Sequence, residues 1–168
     1  MENMAEGKMM KFILVDYEKC HGCNSCTLAC SIVKTGKFNI EKANISIVEI
    51  HHSGLTLPVF CLQCLDPACM EACPAGAIYR NEENGAVIIN ENLCVGCKMC
   101  IMACPIGGPW IDDENHRIMK CDLCGGDPQC AKVCRYGALQ YITAEDSTRK
   151  KRKEGIQRLA KTLDKLGD

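Results

Sequence analysis

The sequence predicts an α+β fold: short strands and short helices in two similar modules, followed by a C-terminal amphipathic helix. Three observations predict it. Sixteen cysteines fall in four groups of four within 168 residues. A short pattern around the last cysteine of a group recurs along the chain. Beyond Tyr141 the composition changes to a charge run, then to apolar residues at helical spacing.

Taken in order, residues 11–16 (KFILVD) read as a strand entering the first cysteine group. Residues 24–33 read as a short helix carrying Cys26 and Cys30. Ile45–Ile50 alternates apolar and polar residues, which suits a strand. Residues 51–57 read as a connection into the second group. The turn Glu83-Asn84-Gly85 precedes a strand over 86–90, and Leu139–Thr143 (LQYIT) reads as the last strand of the body. Arg149-Lys150-Lys151-Arg152-Lys153 is a solvated charge run. Ile156, Leu159, Ala160, Leu163 and Leu166 then form one apolar stripe of a basic helix. It is read either as packing back on the body or as docking a partner.

The repeat appears when the fourth cysteines are aligned. Cys73-Pro74-Ala75-Gly76-Ala77-Ile78 matches Cys134-Arg135-Tyr136-Gly137-Ala138-Leu139, and Cys104-Pro105-Ile106-Gly107 is a third copy. Cys30-Ser31 is the weakest. Each unit is expected to hold a cysteine loop, one or two helical turns and a strand. The expected organisation is a flexible N-terminus (1–10), a body (11–143) and a basic helical tail (144–168). Within the body, an inner module (58–110) is inserted in an outer one (11–57 and 111–143).

The cysteine groups are Cys20, Cys23, Cys26, Cys30; Cys61, Cys64, Cys69, Cys73; Cys94, Cys97, Cys100, Cys104; and Cys121, Cys124, Cys130, Cys134. The first and third are C-x2-C-x2-C-x3-C, the run that holds cubane iron–sulfur clusters. At four thiolates each, sixteen cysteines match four [4Fe–4S] clusters. In two-cluster ferredoxins the fourth cysteine ligates the other cluster. For the adjacent second and third groups this predicts one set of Cys61, Cys64, Cys69 and Cys104, and another of Cys94, Cys97, Cys100 and Cys73. Pro74 and Pro105 bend the chain after the fourth cysteine and lack an N–H. Zinc accepts four thiolates too, but its sites usually come as two separated Cys-x2-Cys pairs. Here four cysteines lie within eleven residues, twice.

Composition narrows the function. Aromatic content is 5%, with one Trp and three Phe, so side chains alone would fill a thin core. Clusters would act as internal cross-links, and the metal-free chain is expected to be largely unfolded. The polar start of the chain does not read as a secretory signal, and no apolar run approaches the ~20 residues of a membrane span. A cytoplasmic, reducing location is expected. Residues 1–144 carry 12 basic and 16 acidic side chains, whereas 145–168 carry 8 and 5. The body is therefore anionic, more so with clusters bound, and nucleic acid is not an expected partner. No nucleotide loop or catalytic constellation is present, so the chain reads as an electron carrier with no substrate chemistry of its own. His21 and Lys98, inside cysteine loops, are candidates to tune a cluster. His51, His52 and His116 read as surface or turn residues, and Met70, Met99 and Met102 are expected to pack against the cubes.

Over residues 11–143 the four groups resemble the four-cluster ferredoxin-type subunits of molybdenum and tungsten oxidoreductases, in which two bacterial-ferredoxin-like (dicluster) modules are joined. The stretch Cys121-Asp122-Leu123-Cys124-Gly125-Gly126-Asp127-Pro128-Gln129-Cys130 looks most like small subunits accompanying tungsten aldehyde oxidoreductase and benzoyl-CoA reductase. The resemblance implies that the first and fourth groups fold together: Cys20, Cys23, Cys26 and Cys134 would hold one cluster, and Cys121, Cys124, Cys130 and Cys30 another. It further implies a large pterin-containing catalytic partner and a second redox partner, such as a ferredoxin or a flavin or NAD subunit. Iron–sulfur subunits of formate dehydrogenase, hydrogenase and carbon monoxide dehydrogenase complexes, and a free polyferredoxin, are the alternatives. Ser31 and Arg135 stand where the other two groups have Pro. Arg135, beside Cys134, is expected to favour the reduced cluster.

Overall fold

The structure, a computed structural model, describes residues 11–52 and 54–166. The expected flexible N-terminus, residues 1–10, lies outside the described residues. The body is built from four two-stranded antiparallel ribbons. Strand β1 (Lys11–Val15) pairs with β8 (Leu139–Thr143), setting Lys11 opposite Thr143 and Val15 opposite Leu139. That ribbon joins the two ends of the body and so brings the first and fourth cysteine groups together. Strands β2 (Ile45–Ile50) and β3 (Leu55–Phe60) form a hairpin. Strands β4 (Ile78–Arg80) and β5 (Val87–Ile89) form a second, and β6 (Trp110–Asp112) and β7 (Arg117–Met119) a third.

One sequence expectation is corrected here. Residues 51–57 are not all connection: β3 begins at Leu55, and Leu55–Phe60 pairs along its length with β2. Pro58 disguises the strand. In a two-stranded ribbon the outer edge makes no ladder bonds, so a residue without an N–H is tolerated there.

The helices are short. The longest in the body, α1 (Ser25–Thr35), ends at Gly36, whose φ of 70° lets its N–H reach the Ile32 carbonyl at 2.8 Å. Helices α2 (Ala68–Glu71) and α4 (Gln129–Lys132) are single turns, each entered through Pro67 or Pro128. Helix α3 (Met99–Ala103) is little longer. The last, α5 (Ala144–Leu166), follows β8 directly. Thr143 makes the switch: its hydroxyl accepts the Asp146 N–H at 3.1 Å, an N-cap that supplies a partner to an orphan donor of the first turn. Ser147 is buried, and Lys150 donates to Gln140 Oε1 at 2.8 Å, so the first turns lie on β8. Ile156 is 69% exposed. The side chains of Leu159, Leu163 and Leu166, the rest of the expected stripe, lie outside the described residues.

Two apolar clusters form the interior. The first gathers Ile13, Ala43, Ile45, Phe60, Leu123 and Leu139 with Cys26, Cys30 and Cys130. The second gathers Ile78, Val87 and Ile118 with Cys69 and Cys100. Cysteines are thus core residues in both, in place of the large side chains the composition lacks. Among the described residues no helix is long and apolar enough to cross a membrane.

Candidate cluster-binding sites

All four cysteine loops turn in the same way. The residue before the second cysteine is left-handed in each: Gly22 at φ 67°, Gln63 at 54°, Gly96 at 69° and Leu123 at 55°. Such a turn makes successive backbone N–H groups converge, which suits an anion. Glycine adopts this conformation without strain, whereas Gln63 and Leu123 are held in it by burial. In the first three groups the second cysteine is at the surface and the third in the core. Cys23, Cys64 and Cys97 are exposed, while Cys26, Cys69 and Cys100 are buried.

The fourth cysteine of every group accepts a backbone N–H on its sulfur. Ala77 donates to Cys73 at 3.3 Å, Gly108 to Cys104 at 3.2 Å and Leu139 to Cys134 at 3.4 Å. In these three groups a left-handed glycine (Gly76, Gly107, Gly137) turns the chain back toward the sulfur. The first group has no such turn, because α1 continues through Cys30 to Thr35. There the donor comes from a distant residue, Asn44, at 3.3 Å. This explains why Cys30-Ser31 is the weakest copy of the repeat.

Two pockets are each lined by cysteines of two groups. Cys20, Cys23 and Cys26 line one pocket together with Cys134. Cys121, Cys124 and Cys130 line another with Cys30. In the inner part, a Cβ at Gly108 would lie 3.3 Å from Cys61 Cβ and 3.5 Å from Cys104 Sγ, so these two cysteines flank one residue. Cys69 and Cys100 sit in the second apolar cluster, with Cys73 and Cys94 packed against it. Among the described residues no three His, Cys, Asp or Glu side chains converge tightly enough to hold a single metal ion. Thiols spread around a shared space, with amide donors on their sulfurs, fit a cubane with iron at separate corners.

Comparison with known proteins agrees with this geometry. Residues 53–144 match the 4Fe-4S dicluster domain, and residues 17–36 match a 4Fe-4S binding domain. The chain belongs to the 4Fe-4S dicluster family. It is 37% identical over 135 residues to the aliphatic sulfonate oxidoreductase, polyferredoxin-like subunit, of Pyrococcus furiosus, covering 79% of this chain and 78% of that protein. It is 36% identical to the NADH-dependent phenylglyoxylate dehydrogenase subunit beta of Aromatoleum evansii, matching 82% of this chain but only 31% of that longer protein. It is 33% identical over 156 residues to the probable anaerobic dimethyl sulfoxide reductase chain YnfG of Escherichia coli, covering 81% and 75%. The resemblance read from the cysteine groups therefore stands: this is a ferredoxin-type iron–sulfur protein of the kind found as electron-transfer subunits of oxidoreductases, and it binds [4Fe–4S] clusters.

In this iron–sulfur protein the thiols are tuned by their surroundings. Desolvation pushes Cys26 up to about 11 and Cys121 up to about 12 from an ordinary 9.0, and raises Cys30, Cys69, Cys100 and Cys130. Cys23 is lowered, chiefly by its hydrogen bond with Ser25 at 3.5 Å. Without metal the buried thiols keep their protons, which iron must displace.

His21 stacks on Tyr136, with ring centroids 4.3 Å apart, over the pocket of Cys20, Cys23, Cys26 and Cys134. It joins loops from the first and fourth groups. Lys98 is exposed at the left-handed residue before α3, and His51, His52 and His116 occupy exposed turns as expected. The methionine expectation is corrected. Met70 packs against the second core, but Met102 is 81% and Met99 50% exposed, because α3 turns those positions outward while burying Cys100.

Three buried polar residues escaped the sequence reading: Asn44, Gln63 and Lys120. Each bonds across segments distant in the sequence. Gln63 donates to the Cys121 carbonyl at 2.7 Å and accepts the Val87 N–H at 2.7 Å. Asn44 also donates to the Lys120 carbonyl at 3.2 Å. None belongs to a motif, and only their three-dimensional neighbours give them a role.

Proposed function

We propose that the protein holds four [4Fe–4S] clusters and relays single electrons between a catalytic oxidoreductase subunit carrying a tungsten or molybdenum pterin and a second redox protein. The ligand sets are Cys20, Cys23, Cys26 and Cys134; Cys121, Cys124, Cys130 and Cys30; Cys61, Cys64, Cys69 and Cys104; and Cys94, Cys97, Cys100 and Cys73. The first two sets belong to an outer module and the last two to an inner module inserted in it. When bound, each cluster takes up and returns one electron.

One observation carries this reading: cysteines from distant groups share lining around common spaces, as Cys134 does with the first group and Cys30 with the fourth. The chain's own part is to hold spacing, exclude water and donate N–H bonds to sulfur. The exposed Cys23, Cys64 and Cys97 place cluster edges within reach of docked partners. Similarity to the Pyrococcus furiosus polyferredoxin-like subunit supports a subunit role with no catalysis of its own. A reducing cytoplasmic setting suits sixteen unpaired thiols.

The test is anaerobic reconstitution of the full chain. Iron and sulfide near sixteen per chain are expected, with paramagnetic signals on reduction. Cys20→Ser and Cys134→Ser should abolish the same signal, and Cys30→Ser and Cys130→Ser a different one. Loss of different signals within either pair rejects the ligand sets. A chain that binds about four zinc and stays colourless rejects the electron-carrier reading. Co-purification with a pterin protein tests the partner.

A further inference from the structure

Lys120 is an unusual residue for its position. It is 8% exposed, and no carboxylate pairs with it among the described residues. Its ammonium donates to the Val87 carbonyl of β5 and, at 3.2 Å, to the Cys121 carbonyl. The first acceptor belongs to the inner core and the second to the fourth cysteine loop. Gln63, from the second loop, bonds to the same two residues. The ammonium therefore sits where the Cys61, Cys64, Cys69 and Cys104 set meets the Cys121, Cys124, Cys130 and Cys30 set.

Burying a cation without an opposite charge is costly, and two carbonyl oxygens offset only part of the cost. The missing anions are the thiolate-ligated clusters themselves. Lys34 of α1, which lines the pocket of the fourth loop, is already paired with Asp122 at 2.5 Å.

We propose that Lys120 is a potential-setting residue for the two clusters at the junction of the modules. Reduction adds one negative charge to a cluster, and a fixed buried cation stabilises that added charge. It raises the potential of both junction clusters, which makes the crossing between modules a step between matched sites. The exposed Lys98 and Arg135 lie in solvent, which screens their charge and leaves them a smaller effect.

The inference rests on the four-cluster reading, so wild-type iron content and signals are established first. If the wild type lacks clusters, that reading fails before Lys120 is tested. Potentiometric EPR is then compared for wild type, Lys120→Met and Lys120→Arg, with the junction signals assigned by Cys69→Ser and Cys130→Ser. The expected result for Lys120→Met is full iron and a fall of at least tenfold in the reduced-to-oxidised ratio of both junction clusters at fixed potential, about 59 mV for one electron. The clusters of the Cys20, Cys23, Cys26 and Cys134 set and of the Cys94, Cys97, Cys100 and Cys73 set should not move, and Lys120→Arg should restore the ratio. Unchanged junction potentials with full iron overturn the proposal. Lys120→Gln, which keeps an N–H donor, replaces Lys120→Met if the latter loses iron. If both neutral variants lose iron while the arginine variant keeps it, Lys120 is a structural strut and the proposal is likewise overturned.

Discussion

Trp110 donates its indole N–H to Asn44 Oδ1 at 2.7 Å, and the backbone N–H of the same Asn44 reaches Cys30 Sγ at 3.3 Å. The single tryptophan of the chain thus steadies the Cys30 sulfur through one intermediate residue. Trp110 opens β6, next to the Gly107-Gly108 turn that follows Cys104. Asn44 lies just before β2 in the other core. The contact ties the turn after Cys104 to the segment that bonds Cys30.

Asn44→Ala should therefore leave the Trp110 N–H and the Lys120 carbonyl without their partner. A loss of about 1–3 kcal/mol is expected for such an unsatisfied buried group. Denaturant unfolding of the cluster-loaded protein measures it. Trp110→Phe, which removes only the donor, should leave Asn44 Oδ1 unpaired and show a loss in the same range.

Gly108→Ala is expected to disturb the Cys61, Cys64, Cys69 and Cys104 set selectively. The added methyl would meet Cys61 Cβ at 3.3 Å and Cys61 Cα at 3.4 Å, where backbone must give way. Iron analysis should show loss of up to one cluster. A Gly54→Ala control, with open space around its Cβ, should keep every cluster despite its left-handed φ.

Gln63→Ala should weaken the junction without removing a ligand. The Val87 N–H loses its acceptor and the Cys121 carbonyl one of its donors, at about 1–3 kcal/mol. Faster bleaching of cluster absorbance under chelator challenge is the readout. Gln63→Gly relieves the left-handed backbone, and comparison of the two variants separates strain from lost bonding.

Cluster assembly should release protons. In the metal-free fold Cys26 and Cys121 titrate near 11 and 12, above the ordinary 9.0, so they are protonated at pH 7. A raised thiol value stabilises the metal-free fold fully below about pH 9, and that contribution is lost as pH rises through 11 to 12. Ligation needs thiolates, so raising pH from 7 toward 9 should favour loading. Acid release during reconstitution in weak buffer, followed with an indicator dye, measures the effect.

Removal of residues 149–168 should leave iron content unchanged and weaken partner binding. The described contacts of α5 with the body run from Ser147 and Lys150 to Glu154 and Gly155, which line a groove with Leu14–Glu18, while Ile156 faces solvent. An intact complex after truncation would count against docking by the tail.

Cysteine identity and spacing were enough to read the chemistry, because the first coordination shell of a cubane is local: three ligands come from one short loop. Ile45–Ile50 and Leu139–Thr143 were legible for a similar reason, since strand alternation is written residue by residue. Leu55–Phe60 was hidden by Pro58, whose tolerance depends on β3 having a single paired edge. The pairing of β1 with β8, the Asn44 donor to Cys30 and the burial of Lys120 between two cysteine loops were decided only by the tertiary structure. The physical reason is that a lone amide or ammonium carries no periodic signal: its role arises only when distant segments exclude water around it and leave it one set of partners.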